Sequence, residues 1–177
     1  MAAIDYLPHY TYNDYKEWEG KWELIGGVAY AMAPAPMIEH QRISNKIARV
    51  LDEVLEECKE CIALLPVDWK ISEDTIVQPD NMVYCGDIKN PNYLTKAPKV
   101  IFEVISPSTA LKDANLKFDL YEREGVLYYI LVYPADRVAK VYRWKDGRYQ
   151  KVCDCSNESV EFDIGVCRFD FDFARIW

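Results

Sequence analysis

The sequence predicts a mixed α+β fold with one hydrophobic core. Half of the 177 residues are apolar and 14% are aromatic, so the chain can bury a core of domain size. One long stretch, "IEHQRISNKIARVLDEVLEECKE", repeats apolar residues at helical spacing, whereas several shorter apolar runs lie between turn signals. This combination predicts a single α/β (mixed α+β) domain over residues 1–177, built on one sheet.

The first half of the chain predicts a short helix, a hairpin and the long helix. "YTYNDYKEW" predicts a helix in which Thr11 and Asp14 have the spacing of a capping box. "KWELIGGVAYAM" predicts two strands that turn at Gly26-Gly27. The long amphipathic helix follows, with His40 in its first turn on the side that faces the core.

The second half predicts several strands and one more helix. Strands are expected at "VDWKI", "IVQPDNMVYC" and "KVIFEVI". "STALKDANLKFDLYEREG" predicts a helix capped by Ser108 or Thr109 and closed by Gly125 in the left-handed conformation. The strand "VLYYILVYP" and a hairpin around Asp146-Gly147 follow. An amphipathic edge strand is expected at the end of the chain, with alternating Phe169, Phe171 and Phe173.

The cysteines and the first residues predict a reduced, cytoplasmic protein. Cys58 and Cys61 form a CxxC motif, but no second CxxC pair or Cys-His cluster follows to complete a zinc site. Cys153 and Cys155 lie two residues apart on a predicted strand. The opening "MAAIDYLPHY" lacks the segments of a secretory signal, and no apolar run is long enough to cross a membrane. We therefore expect six free thiols, a cytoplasmic location and no membrane partner.

The net charge of −8 restricts the partners that the chain is expected to bind. Tight nucleic-acid binders normally carry a basic surface, because contacts with phosphates supply much of their affinity. An acidic chain is expected to bind nucleic acid weakly, unless its basic residues are concentrated locally and divalent cations offset some of its carboxylates.

Two carboxylates stand at the start of one predicted strand and inside another. Asp80 follows Pro79 just before the apolar run "NMVYC", and Glu103 interrupts the apolar run from Val100 to Ile105. Because apolar residues on both faces indicate a strand covered on both sides, an isolated Glu103 there requires a partner. Neighbouring strands usually pair, which would bring the two carboxylates to Cβ distances of about 5 Å. A divalent cation between them would relieve their repulsion.

Each candidate residue also has an ordinary structural interpretation. Asp80 after a proline can cap a turn, whereas Glu103 is harder to explain without a site. Lys117, on the helix after Glu103, either supplies positive charge to an attacking water or a phosphate, or is a solvated lysine on a helix flank. Glu23 in the first hairpin faces the same cleft or solvent. His40 orients a phosphate or a metal-bound water, or packs at the edge of the core.

A series of short motifs runs in order through roughly residues 10 to 150. "YTYNDYKEW", "WELIGGVAYAMAPAP" and "HQRIS" come first. "QPD" follows, with 22 residues between its Asp80 and Glu103, and then come "SPST", Lys117 and "YEREGVLYYILVYP". This series resembles the Uma-two family of putative restriction endonucleases, a branch of the PD-(D/E)XK nuclease superfamily. The resemblance implies a restriction-endonuclease-like core, in which helices flank a central mixed sheet, with an additional N-terminal helix and hairpin.

The resemblance also implies a metal site and a set of catalytic residues. Mg²⁺ or Mn²⁺ would be the cofactor. The implied metal ligands are Asp80, Glu103 and the backbone carbonyl of Val104, and the implied catalytic residues are Asp80, Glu103, Lys117, Glu23 and His40. The chain departs from the superfamily pattern at one position: the usual lysine lies two residues after the glutamate, where this chain has Ile105. Lys117 would then supply the amine from the neighbouring helix.

Three functions remain open on the sequence. The leading hypothesis is a metal-dependent endonuclease that hydrolyses phosphodiester bonds in DNA. It would act as a homodimer, because double-strand cleavage needs two sites and the phenylalanine-rich C-terminal strand offers an apolar edge. The second is a catalytically weak or inactive binding or regulatory module with the nuclease fold. The third is a sugar hydrolase that uses Asp80 and Glu103 as its carboxylate pair in an open cleft.

Overall fold

The computed structural model describes residues 8–33 and 36–177, which fall into two compact units. Unit 1 contains the described residues up to Pro36, Val67–Gln78 and Ile88–Lys96. Unit 2 contains Met37–Pro66, Pro79–Asp87 and Ala97–Trp177. The single domain over residues 1–177 stays a prediction. None of the helices in the described part of the chain is both long enough and apolar enough to span a membrane.

Helices and strands alternate irregularly along the chain, as the sequence predicts for an α+β fold. The helices are α1 (Tyr12–Tyr15), α2 (Ile38–Val54) and α3 (Lys117–Arg123), and a π-helical turn at Lys112–Leu116 directly precedes α3. The strands are β1 (Trp22–Ile25), β2 (Val28–Ala31), β3 (Cys61–Leu64), β4 (Asp68–Ser72), β5 (Thr75–Val77), β6 (Asn81–Cys85), β7 (Tyr93–Leu94), β8 (Val100–Val104), β9 (Tyr128–Tyr133), β10 (Val138–Lys145), β11 (Arg148–Cys155), β12 (Ser159–Asp163) and β13 (Arg168–Asp172).

Unit 1 contains the predicted N-terminal helix and hairpin. The Asp14 carboxylate accepts the Thr11 N–H at 2.8 Å, as the capping-box spacing predicts. Strands β1 and β2 pair antiparallel around Gly26 and Gly27, whose φ angles of 58° and 77° explain why glycine stands at both positions. The five strands of this sheet lie in the order β2-β1-β5-β4-β7, and only β4 and β7 pair in parallel.

Unit 2 contains a six-stranded mixed sheet in the order β11-β10-β9-β8-β6-β3. Strands β8 and β9 are parallel, and the other neighbours are antiparallel. The prediction of one sheet is therefore wrong: β12 and β13 form a third, two-stranded sheet, and the stretch "IVQPDNMVYC" supplies strands to two sheets. Pro79, which lacks an N–H for ladder pairing, lies in the break between β5 and β6.

The long helix packs its apolar side into the core of unit 2, as predicted. Ile43, Ile47, Val50 and Leu51 are fully buried, and α2 contacts β3, β6, β8 and β13. All five residues of β8 are buried, which confirms that this strand is covered on both faces.

The helix expected after β8 exists, but its first part differs from the prediction. The π-helical turn replaces regular α-helix before α3, and Thr109 Oγ1 accepts the Ser106 N–H at 3.2 Å instead of capping the helix. An extra residue in one turn leaves no composition signal, so the spacing pattern did not reveal it. Gly125 ends the segment with a φ of 72°, as predicted.

The C-terminal phenylalanines point into unit 2: Phe169 and Phe171 lie in β13, and Phe173, predicted to continue the strand, begins a short 3-10 turn, Phe173–Arg175. Phe171 and Phe173 are fully buried and Phe169 is 6% exposed. Phe171 and Phe173 contact Phe102 of β8 with ring centroids 5.0 and 6.5 Å apart. The predicted amphipathic strand is confirmed. Its apolar side is covered by the chain's own core, so it does not offer the apolar edge expected for a dimer; the homodimer itself stays a prediction.

All six cysteines are in disulfides, contrary to the prediction of free thiols. The pairs are Cys58–Cys167, Cys61–Cys85 and Cys153–Cys155, with Cα–Cα distances of 6.0, 4.1 and 5.6 Å. The first two pairs join residues 109 and 24 positions apart. Such pairings depend on tertiary structure, since cysteine spacing alone does not specify connectivity.

Candidate active site

Asp80 and Glu103 lie opposite each other because β6 and β8 pair antiparallel. The register places Asn81 opposite Phe102, so the preceding Asp80 meets the following Glu103. The Asp80 N–H lies 3.4 Å from Glu103 Oε2. The predicted juxtaposition of the two carboxylates is therefore present in the structure.

The Asp80 carboxylate is held by a strand and a helix of unit 2. Its Oδ2 atom accepts the Val104 N–H at 2.8 Å and lies 3.0 Å from Nε2 of His40, which α2 supplies from its first turn. The Asp80 and His40 side chains are 15% and 18% exposed. This pair is thus the part of the site that solvent and ligands can reach.

Two opposing effects act on the pKa of His40. Burial lowers it, but the hydrogen bond and negative charge of Asp80 and the charge of Asp113 raise it, and the pKa ends above the ordinary value of 6.5. His40 Nδ1 is buried without a hydrogen-bond partner among the residues that the structure describes.

Glu103 is the centre of a buried ion-pair network. The Lys117 Nζ atom lies 2.8 Å from Glu103 Oε1, and the Tyr121 hydroxyl donates to the same oxygen at 3.1 Å. Lys117 also lies 3.5 Å from Oδ1 of Asp113. The side chains of Glu103, Lys117 and Asp113 are each 3% exposed. Lys117 is therefore not a solvated lysine, which was its ordinary interpretation.

Sequence reasoning missed Asp113 as a member of this group. Asp113, Lys117 and Tyr121 recur at four-residue intervals and all contribute to the network around Glu103. This i, i+4 spacing of an acid, a lysine and a tyrosine was the available signal. Ile105, at the position of the usual lysine, is half-buried, and its N–H donates to the Val132 carbonyl at 2.8 Å. The lysine comes from the helical segment instead.

The donor atoms of this group suit a hard divalent cation. Asp80, Glu103 and the Val104 carbonyl offer only oxygen, which Mg²⁺ and Mn²⁺ prefer over nitrogen or sulfur. Three carboxyl groups, those of Asp80, Glu103 and Asp113, lie beside one lysine and one histidine, so acidic groups outnumber basic ones in this cluster. The chemistry of the residues therefore fits the predicted cofactor.

Glu23, the remaining predicted site residue, lies in unit 1. Its side chain is fully buried and its Oε1 atom accepts the Gln78 N–H at 2.9 Å. This contact holds the chain just after β5. The role of Glu23 in catalysis stays a prediction.

Unit 1 also contains a polar pocket that the sequence did not indicate. Asp68 Oδ1 accepts hydrogen bonds from the Tyr15 hydroxyl at 3.0 Å and from Gln78 Nε2 at 2.6 Å. Burial raises the pKa of Asp68 above 3.8 although both hydrogen bonds lower it, and burial together with the Asp68 charge raises the pKa of Tyr15. The pocket measures about 250 Å³ and is lined by Tyr12, Tyr15, Lys16, Trp18, Gly20, Trp22, Asp68 and Gln78.

Comparison with solved structures finds a similar fold. A crystal structure titled as a putative nuclease belonging to DUF820, from Anabaena variabilis ATCC 29413, superposes with a TM-score of 0.74 at 18% sequence identity. The match covers 94% of this chain and 96% of the other. No curated protein matches the chain.

The family follows from the sequence itself. The pattern of the Uma2 family, described as "Putative restriction endonuclease", matches residues 11–161. The chain belongs to this family, and the resemblance noted from its motifs is confirmed.

Proposed function

We propose that this protein is a Mg²⁺- or Mn²⁺-dependent endonuclease that hydrolyses phosphodiester bonds in DNA. The observation that carries the proposal is the Lys117–Glu103 ion pair of 2.8 Å next to Asp80. Lys117 in this pair would supply the amine that the superfamily pattern places at the position of Ile105. Membership in a family described as "Putative restriction endonuclease", and a similar fold in a structure described as a putative nuclease, support the same reaction class.

The cation would be held by Asp80, Glu103 and the backbone carbonyl of Val104. When bound, it would act as a Lewis acid on the phosphate and lower the pKa of a bound water. Mg²⁺ commonly uses one or two carboxylates and keeps several waters, so this small ligand set is sufficient. Asp80, at 15% exposure, gives the cation its access to the site.

The protein's own side chains would position the carboxylates and stabilise the developing charge. Lys117, paired with Glu103 and Asp113, provides fixed positive charge for the phosphoryl oxygens or holds the attacking water. His40 orients Asp80 through their contact of 3.0 Å, and Tyr121 orients Glu103 through its hydroxyl. We regard His40 and Tyr121 as positioning residues.

The proposal is tested by cleavage of supercoiled plasmid DNA with purified protein. We expect nicking with Mg²⁺ or Mn²⁺, none with EDTA, and a loss of at least about 100-fold in Asp80→Asn and Glu103→Gln, since both remove a charged ligand while nearly preserving shape. Glu161→Gln, an exposed carboxylate on β12, is the matched control and should cleave normally. Equal cleavage by the Asp80→Asn/Glu103→Gln double variant would overturn the assignment. A parallel RNA substrate tests the choice of DNA.

A second candidate is a non-catalytic binding or regulatory module with the same fold. The observation that favours it is the satisfaction of Glu103 Oε1 by both Lys117 and Tyr121 in an almost closed site. Calorimetric titration decides between the two: the absence of Mg²⁺ and Mn²⁺ binding at millimolar concentration would favour the module. The sugar-hydrolase hypothesis requires both carboxylates in an open cleft, and Glu103 at 3% exposure does not meet that requirement.

A further inference from the structure

Four cysteines from distant parts of the sequence meet at one place in unit 2. Cys58 follows α2, Cys61 begins β3, Cys85 ends β6 and Cys167 precedes β13. The Sγ atoms of Cys58, Cys61 and Cys167 all lie within 4.8 Å of one another. Cys85 joins them through its bond to Cys61. The two disulfides Cys58–Cys167 and Cys61–Cys85 are therefore adjacent, and together they form a four-sulfur cluster.

Main-chain hydrogen bonds determine where each of these cysteines lies. The Cys61 N–H donates to the Cys58 carbonyl at 3.0 Å and closes the CxxC segment into a turn. Cys61 and Cys85 are register partners in the β3–β6 pair. The Ile164 N–H donates to the Cys167 carbonyl at 3.0 Å in the connection between β12 and β13. Main-chain hydrogen bonds thus place Cys58, Cys61 and Cys85 together independently of the sulfur–sulfur bonds, and they shape the turn that carries Cys167.

Three of the four sulfurs have spacings compatible with a tetrahedral metal site, and the fourth, that of Cys85, is bonded to Cys61. With Zn–S bonds of about 2.3 Å, four tetrahedral sulfurs lie about 3.8 Å from one another, which is compatible with the 4.8 Å limit observed for three of them. Cys58 and Cys61 are 6% and 5% exposed, so much of the cluster is shielded from water. Cys85 and Cys167 are half-buried and provide an entry path.

We propose that the reduced chain binds one Zn²⁺ through the thiolates of Cys58, Cys61, Cys85 and Cys167. Each of the two disulfides takes two electrons and two protons from a dithiol reductant, which is oxidised to its own disulfide, and the four resulting thiols lose their protons on binding zinc. Disulfide and zinc site are alternative states of the same sulfurs. Four sulfur ligands favour zinc over Mg²⁺, Mn²⁺ or Ca²⁺, so the site is chemically distinct from the carboxylate site.

The proposed zinc would connect three parts of unit 2. It would join the end of α2, the paired ends of β3 and β6, and the β12–β13 hairpin, which are otherwise held by packing. The third cysteine pair is different: Cys153 and Cys155 lie on the same strand, two residues apart, and bond to each other. Within residues 8–33 and 36–177, the only group of at least three potential metal-binding side chains found contains Cys58, Cys61 and Cys167.

Metal analysis of the full chain tests the proposal. Protein reduced with dithiothreitol, freed of reductant under anaerobic conditions and supplied with ZnCl₂ should retain one zinc per chain. Cys85→Ser and Cys167→Ser should lose it. The double variant Cys153→Ser/Cys155→Ser, as matched control, and Asp80→Asn should each retain one zinc. Retention by the first two variants, or loss from Asp80→Asn, would overturn the proposal.

Cobalt spectroscopy keeps the test valid where a serine variant fails to fold. Co²⁺ added to the reduced wild-type chain, with circular dichroism confirming its fold, should give the strong visible bands and the sulfur-to-metal charge-transfer band of a tetrahedral tetrathiolate. Zn²⁺ should displace it. The weak spectrum of six-coordinate, oxygen-bound cobalt, or no binding by the folded reduced chain, would overturn the proposal. Acid-labile sulfide with iron in the isolated protein would also overturn zinc as the metal.

Discussion

Glu103 shows how a carboxylate is kept in the interior of this protein. Its neighbours in β8 are all buried, and its Oε1 atom receives both Lys117 and the Tyr121 hydroxyl. A buried ion pair contributes little compared with a well-packed apolar pair, but the removal of one partner leaves an uncompensated charge. Glu103 and Lys117 are therefore expected to depend on each other energetically.

A double-mutant cycle tests this dependence. Lys117→Met should lower the free energy of unfolding by about 3–5 kcal/mol, because Glu103 then remains buried without its closest cation. The double variant Lys117→Met/Glu103→Gln should lose less free energy of unfolding than the two single variants lose in sum. Urea denaturation followed by circular dichroism gives all four values. Strict additivity would show that the pair is not coupled.

The pocket residue Asp68 predicts a pH-dependent stability. Burial raises the pKa of Asp68 in the folded chain above 3.8, its ordinary value. The free energy of unfolding therefore falls as the pH rises from the pKa of the unfolded chain through that of the folded chain, because Asp68 must then ionise in a buried position. Below pH 3.8 there is no such penalty, and above the folded pKa the penalty is complete. Asp68→Asn keeps an Oδ1 acceptor for Tyr15 and Gln78 and removes the charge.

We expect Asp68→Asn to become more stable relative to the wild type as the pH rises from about 4 to about 7. Urea unfolding at several pH values in this range measures the difference. Asp146→Asn, an exposed position in the β10–β11 turn, is the control and should show no such trend. A constant difference between Asp68→Asn and the wild type would contradict the raised pKa.

At the scale of elements, strand pairing and one helical irregularity assemble the candidate active site. Antiparallel pairing of β6 with β8 brings Asp80 to Glu103. The π-helical turn at Lys112–Leu116 immediately precedes Lys117 and contains Asp113, whose carbonyl also accepts the Tyr129 hydroxyl at 2.8 Å. Such turns contain one residue more than regular helix and are frequent at functional sites.

Deletion of the exposed Asn115 tests the importance of the π-helical turn. The deletion should convert the turn to α-helix and rotate the preceding residues by about 100° relative to α3, which carries Asp113 away from Lys117. We expect a loss of roughly 1–3 kcal/mol in unfolding free energy, as for other buried groups that lose a partner, and at least about a tenfold loss of metal-dependent cleavage.

The matched control for this deletion is Asn115→Ala, which keeps the chain length and removes only the hydrogen bond from Asn115 Nδ2 to the Leu111 carbonyl. It should retain stability to within about 1 kcal/mol and cleave DNA normally. Equal effects of deletion and substitution would show that the extra residue in the turn does not matter.

At the scale of the whole molecule, the net charge of −8 opposes binding to DNA. A cation at Asp80 and Glu103 would reduce this repulsion where the phosphate must approach. We therefore expect fluorescence anisotropy to show tighter DNA binding in Ca²⁺, a cation chosen to limit hydrolysis, than in EDTA. Asp80→Asn/Glu103→Gln should lose the gain. Equal affinity with and without Ca²⁺ in the wild type would contradict metal-assisted binding.

The homodimer also belongs to this scale and stays a prediction. The phenylalanines of β13 are buried in the same chain, so a dimer would have to use another surface. Sedimentation velocity should give twice the mass of one chain if two sites act together on duplex DNA. A monomer that cleaves both strands of duplex DNA would contradict the prediction.

Much of the fold follows from local patterns. The spacing of Ile43, Ile47 and Leu51 predicted α2, and Gly26-Gly27 predicted the first hairpin, because helix periodicity and turn geometry depend on neighbouring residues. The single sheet and the free thiols were wrong. Which strands share a sheet, and which cysteines meet, depends on contacts between residues far apart in the sequence.

The sequence by itself determined the α+β class and the family, because these follow from periodic patterns and from motifs in a fixed order. It also identified Asp80, Glu103 and Lys117 as candidate site residues, because an acidic residue inside an apolar strand requires a partner. Tertiary structure alone decided that Lys117 reaches Glu103, that Asp113 joins them, and that Cys85 and Cys167 meet the CxxC segment. The physical reason is that strand register and helix rotation, which set these distances, arise from packing of the whole core rather than from any local stretch.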